Sequence, residues 1–306
     1  MLKLLFISND TSLFLNRNYY FLERELAKLC DLMVWRHSGE ISEILKQIPK
    51  KPDFILILND IGSQLNPLVT GLANTDIPSG LIVNDAHRFR EKRRNFIEDN
   101  KIRTFFVVGK EPFFKHYPEY KQHHVFLLPH HVNTSIYKDY GLKKDIDFMM
   151  LGSVDTAYPL RMAINRHYKN DSRFVTHSHP GFRNFSKEQE QKQLIGENYA
   201  RELNRAKVFF TCGSSRNYAV IKYFEVPACN TLLLAPAFPD LEEMGFIPGK
   251  HFVDINRRNF AEKAEYYLKN KKEREKITEE GYRFIQNNHS TVHRAAQLIQ
   301  QINKIV

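Results

Sequence analysis

The first part of the chain alternates short apolar runs with amphipathic stretches. Between residues 19 and 30, Phe21, Leu22, Leu26 and Leu29 recur at a spacing of three and four residues, which predicts a helix with one face on a sheet. Strands and helices that alternate at this length are typical of parallel strands joined by crossover helices, and therefore of a doubly wound α/β domain. The predicted strands are 3–8, 32–36, 54–59, 80–84 and 104–109.

The alternation pauses across 128–141 and starts again at 145–152. A second series of strands and crossovers follows, and the chain closes with helices. Two doubly wound domains in tandem, hinged near 130–145, are the simplest interpretation of this order. The further strands are 173–177, 207–212, 231–235 and 251–255, and the closing helices are 259–270, 272–288 and 291–306.

The composition fits a globular protein with more than one hydrophobic core. The chain has 306 residues, of which 42% are hydrophobic and 26% charged. No apolar run approaches the ~20 residues of a membrane span. The first ten residues are typical of a strand rather than a signal peptide, so we expect a cytoplasmic protein. Its 3 cysteines are too scattered for a disulfide framework or a zinc module.

The net charge of +10 favours a polyanionic partner. Nucleic acid, anionic lipid, a teichoic-type polymer and a nucleotide phosphate all have this character. The stretch 87–94 concentrates basic residues around one aromatic. Because no recognised nucleic-acid-binding module accompanies it, a solvated helix face is favoured over a nucleic-acid site.

Several catalytic classes lack their motifs. The segment 245–250 is one residue short of a Walker loop and leads into a strand, and no Gly-x-Ser-x-Gly elbow is present. The histidine pairs 123–124 and 130–131 lie on extended segments, where neighbouring side chains point to opposite faces. We therefore predict no metal site.

Candidate catalytic residues of the first half follow its strands. Asp85 and His87 come after the strand 80–84, and Asp10 comes after the first strand. Open α/β sheets bind ligands at the carboxyl edge, where a carboxylate or an imidazole can accept a proton. A helix cap and a surface histidine are the alternative interpretation of Asp85 and His87.

In the second half, a phosphate site is predicted at the same kind of edge. Gly152 and Ser153 follow the strand 145–152, and Tyr158 and Arg161 open the next helix. A helix N-terminus preceded by glycine can receive a phosphate that an arginine clamps. His179 follows the next strand on the same edge.

A helix at 217–228 raises a further question, because it leads into a buried strand yet carries Lys222 and Glu225. The polar run 214–217, which includes Asn217, precedes it. One interpretation is a surface pair of opposite charges three residues apart, which would contribute only ~0.2–0.5 kcal/mol. The other is a ligand-binding crossover.

The residues of this helix and the segments around it carry a family likeness. The run from Lys222 to Cys229, KYFEVPAC, is followed by 232–234, LLL, and by GYRFIQNNHSTVHRA at 281–295. Earlier in the chain, residues 128–133 and 151–161 resemble the junction between the two domains in the same family. In ordered segments over roughly 78–300, the chain resembles the CgeB/YkvP-type spore-protein glycosyltransferases, which are similar to the GT-B enzymes of glycosyltransferase family 4.

The resemblance implies a GT-B architecture in which two Rossmann-like, doubly wound domains face a central cleft. Residues 1–140 would form the acceptor-side domain, with the helix 290–306 packed back on it, and 141–289 would bind a nucleotide-sugar, with UDP as the expected nucleotide.

Individual roles follow from the same resemblance. Glu225 takes the place of the glutamate that binds the nucleotide ribose, with Tyr223 and Phe224 beside it, and Lys222 that of a basic residue near the diphosphate. Asn217 stands where family 4 has a second glutamate, which contacts the sugar.

The implied function is metal-independent sugar transfer to an unidentified acceptor, such as a glycan, a cell-wall or spore polymer, or a protein. Arg161, Lys222 and helix N-termini would stabilise the departing diphosphate. The alternatives are a non-catalytic GT-B-like protein that binds a spore-coat or envelope polymer and, less favoured, a nucleic-acid-binding protein. An association with spore or envelope assembly also follows from the resemblance alone.

Overall fold

The chain forms two compact units. The computed structural model describes residues 1–215 and 217–306, so Arg216 of the polar run lies outside the described residues. Unit 1 comprises Met1–Pro129 and Arg294–Val306, and unit 2 comprises His130–His293. The division falls ahead of 140–141 because the segment before it bonds to unit 2. There, the backbone N–H of Tyr140 donates to Oδ1 of Asn204 at 2.8 Å, and Nδ2 of Asn204 donates to the Lys138 carbonyl at 2.9 Å.

The main sheet of unit 1 is parallel throughout and has the strand order β2-β1-β4-β6-β7-β8. β3 and β5 form a separate short parallel pair. The strands are β1 (Lys3–Ser8), β2 (Asp31–Trp35), β3 (Gly39–Glu40), β4 (Phe54–Leu58), β5 (Val69–Thr70), β6 (Ser79–Val83), β7 (Thr104–Val107) and β8 (His124–Leu127). All strands predicted for this half are confirmed, whereas β3, β5 and β8 were missed.

Helices cover both faces of this sheet. They are α1 (Asn18–Leu29), α2 (Ile41–Gln47), α3 (Arg90–Asp99) and α4 (Lys110–His116), with short 3-10 turns at Leu72–Asn74 and Pro118–Tyr120. Every residue of β4 is buried. Its odd-numbered and even-numbered side chains pack into separate core clusters, as expected of a central parallel strand.

The sheet of unit 2 is also parallel, with the order β10-β9-β11-β12-β13. The strands are β9 (Ile146–Leu151), β10 (Phe174–His177), β11 (Ala206–Phe210), β12 (Leu232–Ala235) and β13 (Val253–Asp254). Its helices are α5 (Pro159–Tyr168), α6 (Lys187–Lys192), α7 (Gly196–Arg205), α8 (Lys222–Ala228), α9 (Pro239–Glu243), α10 (Phe260–Lys269) and α11 (Lys271–Asn288). The strands and closing helices predicted for this half are confirmed to within a few residues.

The last helix, α12 (Thr291–Ile302), joins unit 1 from Arg294 onward. Its apolar residues Ala295, Leu298 and Ile302 are fully buried in the cluster that contains Leu4 and Phe6 of β1. The end of the chain thus completes the core of the unit in which the chain begins.

Helix α8 is held tightly inside unit 2. It is only seven residues long and contains Pro227. A Cβ on Gly281 of α11 would lie 2.5 Å from the His251 carbonyl oxygen and 3.4 Å from Cβ of Pro227, so only glycine permits this close approach. The packing fixes the helix that carries Lys222 and Glu225.

None of the helices in the described part of the chain has the length and apolar character needed to cross a bilayer.

Candidate functional site

The candidate residues of unit 2 follow its parallel strands. Gly152 comes directly after β9, Thr211 directly after β11, and His179 two residues after β10. Because the carboxyl ends of parallel strands share one edge, these residues lie on the edge where open α/β sheets bind ligands.

Gly152 allows two cationic side chains to meet at this edge. Its φ is +114°, a backbone conformation that side-chain-bearing residues rarely adopt. A Cβ there would lie 3.1 Å from Nη1 of Arg161 and 3.1 Å from Cε of Lys222. Glycine therefore leaves the space in which Arg161 and Lys222 approach the same point.

Arg161 is buried, with only 3% of it exposed, and several contacts hold its guanidinium in place. Its Nη1 donates to the Ser153 carbonyl at 3.2 Å, and its Nη2 donates to Oγ1 of Thr211 at 2.8 Å and to the Cys212 carbonyl at 3.4 Å. Its guanidinium carbon lies 4.0 Å from the centre of the Tyr158 ring. Ser153 and Tyr158, both predicted site residues, thus orient Arg161 in the structure.

The charge of Arg161 has no acidic partner. Across residues 1–215 and 217–306, no carboxylate forms a salt bridge with it, and its Nε has no hydrogen-bond partner. A buried cation is costly unless an anion is close, so this geometry suits an anionic ligand.

Lys222 adds a second cation whose proton is weakly held. The residue is half-buried, and burial, together with Arg161, lowers the pKa of Lys222 to about 8 against the opposing effect of Glu225. An incoming anion would stabilise the protonated ammonium and raise this pKa.

His179 lies in the same electrostatic environment. Burial first, and then the charges of Lys222 and Arg161, lower the pKa of His179, so the ring is neutral at pH 7. Its Nδ1 accepts from the Gly181 N–H at 3.0 Å, and the ring packs against Phe182, whose side chain is largely exposed. His179 therefore borders the cationic pair without adding charge.

Glu225 is buried rather than paired at the surface. Only 5% of it is exposed, and its Oε2 accepts from the Tyr199 hydroxyl at 3.3 Å. Burial raises the pKa of Glu225, whereas Lys222 and the tyrosine hydrogen bonds lower it. The surface-pair alternative for Lys222 and Glu225 is therefore wrong, since no salt bridge joins them in the described part of the chain.

Asn217 lies in the loop between β11 and α8. It is exposed, has a φ of +54°, and its N–H lies 3.5 Å from the Ser214 carbonyl. A Cβ on Gly213 would lie 2.7 Å from the Tyr218 carbonyl oxygen, so glycine is needed for the loop to turn. The predicted sugar-contacting position is thus available to solvent on a tight loop.

Tyr223 and Phe224 do not face a ligand. Both are fully buried, and the Tyr223 hydroxyl donates to the Pro236 carbonyl at 2.7 Å. The Phe224 ring packs against those of Phe246 and His289. Their prediction as donor-binding residues is corrected: α8 turns these side chains into the core of unit 2.

In unit 1, Asp85 and His87 follow β6 and are half-buried. The Asp85 side chain is 42% exposed, and its Oδ2 lies 3.8 Å from Nη1 of Arg88. Its backbone N–H lies 3.4 Å from Oδ2 of Asp60. The strand-edge placement is as predicted, and the Asp85 carboxylate can reach solvent.

A buried ion pair that the sequence did not reveal supports this turn. Asp60 and Arg93 have fully buried side chains with Oδ2 and Nη2 2.8 Å apart. Asp60 accepts from the backbone N–H and from Nδ2 of Asn84, both at 2.9 Å, and Arg93 donates to the carbonyls of Asp85 and Arg88. The idea that 87–94 is simply a solvated basic face is therefore corrected at Arg93.

Asp10 is a weaker base than an ordinary aspartate. It is exposed, and its Oδ1 accepts from the Ser12 N–H at 2.8 Å. Hydrogen bonds from Ser12 hold the pKa of Asp10 below its usual value, because they stabilise the ionised form.

Histidines of both pairs contact other side chains. Nowhere in the described ranges do three or more His, Cys, Asp or Glu side chains gather in a group that could hold an ion. His131 is instead buried, with Nδ1 3.1 Å from Oγ1 of Thr291, and Nε2 of His123 lies 2.8 Å from Nη1 of Arg103.

Comparisons with known proteins give the family. Residues 142–300, more than half of the chain, match the family model described as glycosyl transferase-like. Comparison with curated proteins finds no match.

Solved structures share the whole architecture at low identity. The HepE protein of Anabaena in complex with UDP-glucose has a TM-score of 0.64 and 9% identity, over 99% of this chain and 100% of that chain. Sucrose-phosphate synthase from Thermosynechococcus elongatus gives 0.67 and 11%, over 99% of both chains. A glycosyltransferase from Rickettsia africae gives 0.59 and 10%, over 99% and 98%. The fold is GT-B, as the sequence predicted, and this chain belongs to the glycosyl transferase-like family of enzymes.

Proposed function

We propose that this enzyme transfers a sugar from a UDP-linked donor, held by unit 2, to an acceptor hydroxyl bound by unit 1. The observation that carries the proposal is the buried Arg161, which has no acidic partner among the residues that the structure describes and meets Lys222 at Gly152. The UDP-glucose in the similarly folded HepE makes the same class of donor the natural candidate here.

The chemistry requires positive charge at the leaving group. Glycosyl transfer passes through an oxocarbenium-like state while negative charge builds on the departing diphosphate. Fixed cations aimed at that charge stabilise the transition state without a metal, and Arg161 and Lys222 are such cations. Helix α8 is too short to add much dipole, so the side chains carry this role.

The remaining assignments complete the donor and acceptor sides. Glu225 accepts from the ribose hydroxyls, since a carboxylate can accept from two neighbouring hydroxyl groups. Asp85, with His87 beside it, is the candidate base for the acceptor, and Asp10 is less suited because of its lowered pKa. The domain roles predicted for 1–140 and 141–289 belong to this proposal, as does metal independence.

The narrower predictions rest on the sequence and on the family resemblance. The likeness to CgeB/YkvP-type proteins, a role in spore or envelope assembly and the cytoplasmic location remain predictions. Membership of an enzyme family favours catalysis over a non-catalytic binding protein. Burial of Arg93 and the pairing of Arg94 with Glu119 at 2.6 Å weaken the nucleic-acid alternative.

A thermal-shift series tests the nucleotide assignment. UDP and UDP-glucose should raise the melting temperature, because a ligand at one hundred times its Kd adds ~2.7 kcal/mol of stability. At the same concentration, the melting temperature should rise much less with uridine, which lacks phosphate, and with inorganic phosphate, which lacks ribose. Equal shifts for inorganic phosphate and UDP would show a simple anion site and refute the proposal.

The ribose role of Glu225 gives a sharper result. Glu225→Gln keeps the shape of the side chain and removes its charge. The free energy of UDP binding should therefore become less favourable by ~1.5–3 kcal/mol, with little change in the melting temperature of the protein. Calorimetric titration measures the affinity, and Glu262→Gln on the exposed face of α10 is the matched control. Unchanged affinity in folded Glu225→Gln would end this assignment.

The pH dependence of binding should follow Lys222. Its pKa of about 8 in the nucleotide-free protein means that the ammonium is present at pH 7 and is lost as pH rises toward 9. Since the diphosphate binds the protonated form, UDP affinity should be level up to about pH 7 and fall by up to about tenfold per unit above 8. Lys222→Arg should remove this decline, because guanidinium does not titrate there. The same decline in Lys222→Arg would assign it to another group.

A further inference from the structure

Two tyrosines from different parts of unit 2 converge on Glu225. Tyr199 lies on α7 and donates its hydroxyl to Oε2 of Glu225 at 3.3 Å, and the neighbouring Tyr137 also lowers the pKa of this carboxylate. Their ring centroids are 6.2 Å apart and nearly perpendicular, at 77°. The two rings thus form one packed wall beside the carboxylate.

Hydrogen bonds from the Gln286 side chain connect the segment of Tyr137 to α8. Nε2 of Gln286 on α11 donates to the Tyr137 carbonyl at 3.3 Å and lies 3.4 Å from the Ala228 carbonyl at the end of α8. The Tyr137 N–H donates to the Asn133 carbonyl at 2.9 Å. One side chain therefore links the segment of Tyr137 to the helix that carries Glu225.

The charged and titratable groups around Glu225 make the tyrosines important. Lys222 faces it from α8, Cys229 from the residue directly after α8, Tyr199 from α7, and Tyr137 from the segment before β9. Burial raises the pKa of the Cys229 thiol and of the Tyr199 hydroxyl well above their usual values, so both stay protonated. The tyrosines are therefore donors, and the carboxylate is the acceptor.

Without these donors, the buried carboxylate would tend to take up a proton. Burial penalises the ionised form, and hydrogen bonds to the carboxylate favour it. A protonated Glu225 keeps less acceptor capacity for two neighbouring hydroxyls. Its state of ionisation thus depends on the tyrosines as well as on Lys222.

We propose that Tyr137 and Tyr199 are positioning residues that hold Glu225 ionised and fixed as the acceptor of ribose hydroxyls, so that the site selects ribonucleotides over deoxyribonucleotides. This inference rests on the proposed donor site. It assigns the selectivity to a Tyr–Glu–Tyr group rather than to Glu225 alone.

The first test observes the carboxyl group directly, in nucleotide-free protein. Carbon-13 NMR of the glutamate carboxyls, with Glu225 assigned by its loss in Glu225→Gln, gives its titration midpoint. Tyr199→Phe and Tyr137→Phe should each raise this midpoint by about one pH unit or more, the equivalent of one lost hydrogen bond to a charged group. Tyr140→Phe, which loses a 2.7 Å hydrogen bond to the Ile136 carbonyl, is the matched control and should leave it unchanged.

The second test compares UDP with 2′-deoxy-UDP by calorimetry at pH 7. The wild-type protein should prefer UDP by at least about tenfold, the value of one hydrogen bond to a charged group, and each Tyr→Phe variant should reduce that preference. The control variant, Tyr140→Phe, should keep the wild-type preference for UDP.

The outcomes distinguish failure of the inference about the tyrosines from failure of the proposed function. An unchanged Glu225 midpoint in both variants overturns the inference even if the wild-type protein binds UDP normally. A raised midpoint with an unchanged preference for UDP also overturns the positioning role, and it refutes the proposed ribose assignment as well. Failure of the wild-type protein to bind UDP refutes the proposed function separately.

Discussion

Replacing Arg161 with methionine should lower the turnover of UDP-glucose by about 10²–10³-fold, the usual cost of removing one preorganised donor from developing negative charge. The substitution removes a guanidinium that Ser153, Thr211 and Cys212 hold at the strand edge. The protein should nevertheless stay folded. A buried cation without an anion does not stabilise the free protein, and an apolar side chain of similar length is often neutral there.

The measurement is the rate of UDP release from UDP-glucose at saturating donor, together with the melting temperature. Arg166→Met is the matched control, because Arg166 lies on the exposed face of the same helix, α5. It should change neither quantity. Full turnover in a folded Arg161→Met protein would show that the diphosphate lies elsewhere.

Replacing Asp85 with asparagine should lower the rate of UDP release by about 10²-fold or more, the range for a general base. The carboxylate lies at the end of β6, is 42% exposed, and stands on a turn held by the buried Asp60–Arg93 pair. Asparagine keeps the shape but cannot accept the proton. Because Asp85 belongs to unit 1 and the proposed donor site to unit 2, UDP affinity should stay within about twofold of wild type.

The rate of UDP release and the affinity for UDP together decide the role of Asp85. Asp99→Asn, at the exposed end of α3, controls for the loss of one negative charge from unit 1. A parallel loss of UDP affinity in Asp85→Asn would move Asp85 to the donor side. Unchanged turnover would exclude it as the base and would favour a route that needs none.

The fold could be predicted from the sequence because its signals are local. A buried parallel strand is a continuous apolar run, as in β4, and a covering helix has apolar residues on one face, as in α1. The strand β8 was missed because its sequence, HVFL, is short and begins with a polar residue. The contacts of Asn204 with 138–140, which tie this segment to unit 2, are tertiary and have no local sequence signal.

The candidate site could be predicted only in part. Gly152 and Arg161 were proposed because they follow a strand or open a helix, and Lys222 because of the family resemblance; the structure brings the three together at Gly152. Thr211, the residue directly after β11, carried the same signal and was overlooked.

Other contributions have no local signal. Tyr137 and Tyr199 approach Glu225 from distant parts of the sequence. Tyr223 and Phe224 were assigned to the ligand because they share a motif with Glu225, although neighbouring residues of a helix point in different directions. The burial of Arg93 depends on its ion pair with Asp60, and a count of basic residues could not reveal it.

The most direct test of the account is a calorimetric titration of UDP into the wild-type protein and into the Arg161→Met/Glu225→Gln double variant at pH 7. The wild-type protein should bind one UDP per chain. The double variant should bind at least about 100-fold more weakly, because it loses contacts to both the diphosphate and the ribose. Equal UDP affinity in the two proteins, or no binding to the wild type, would contradict the assignment of the unit 2 strand edge as the donor site.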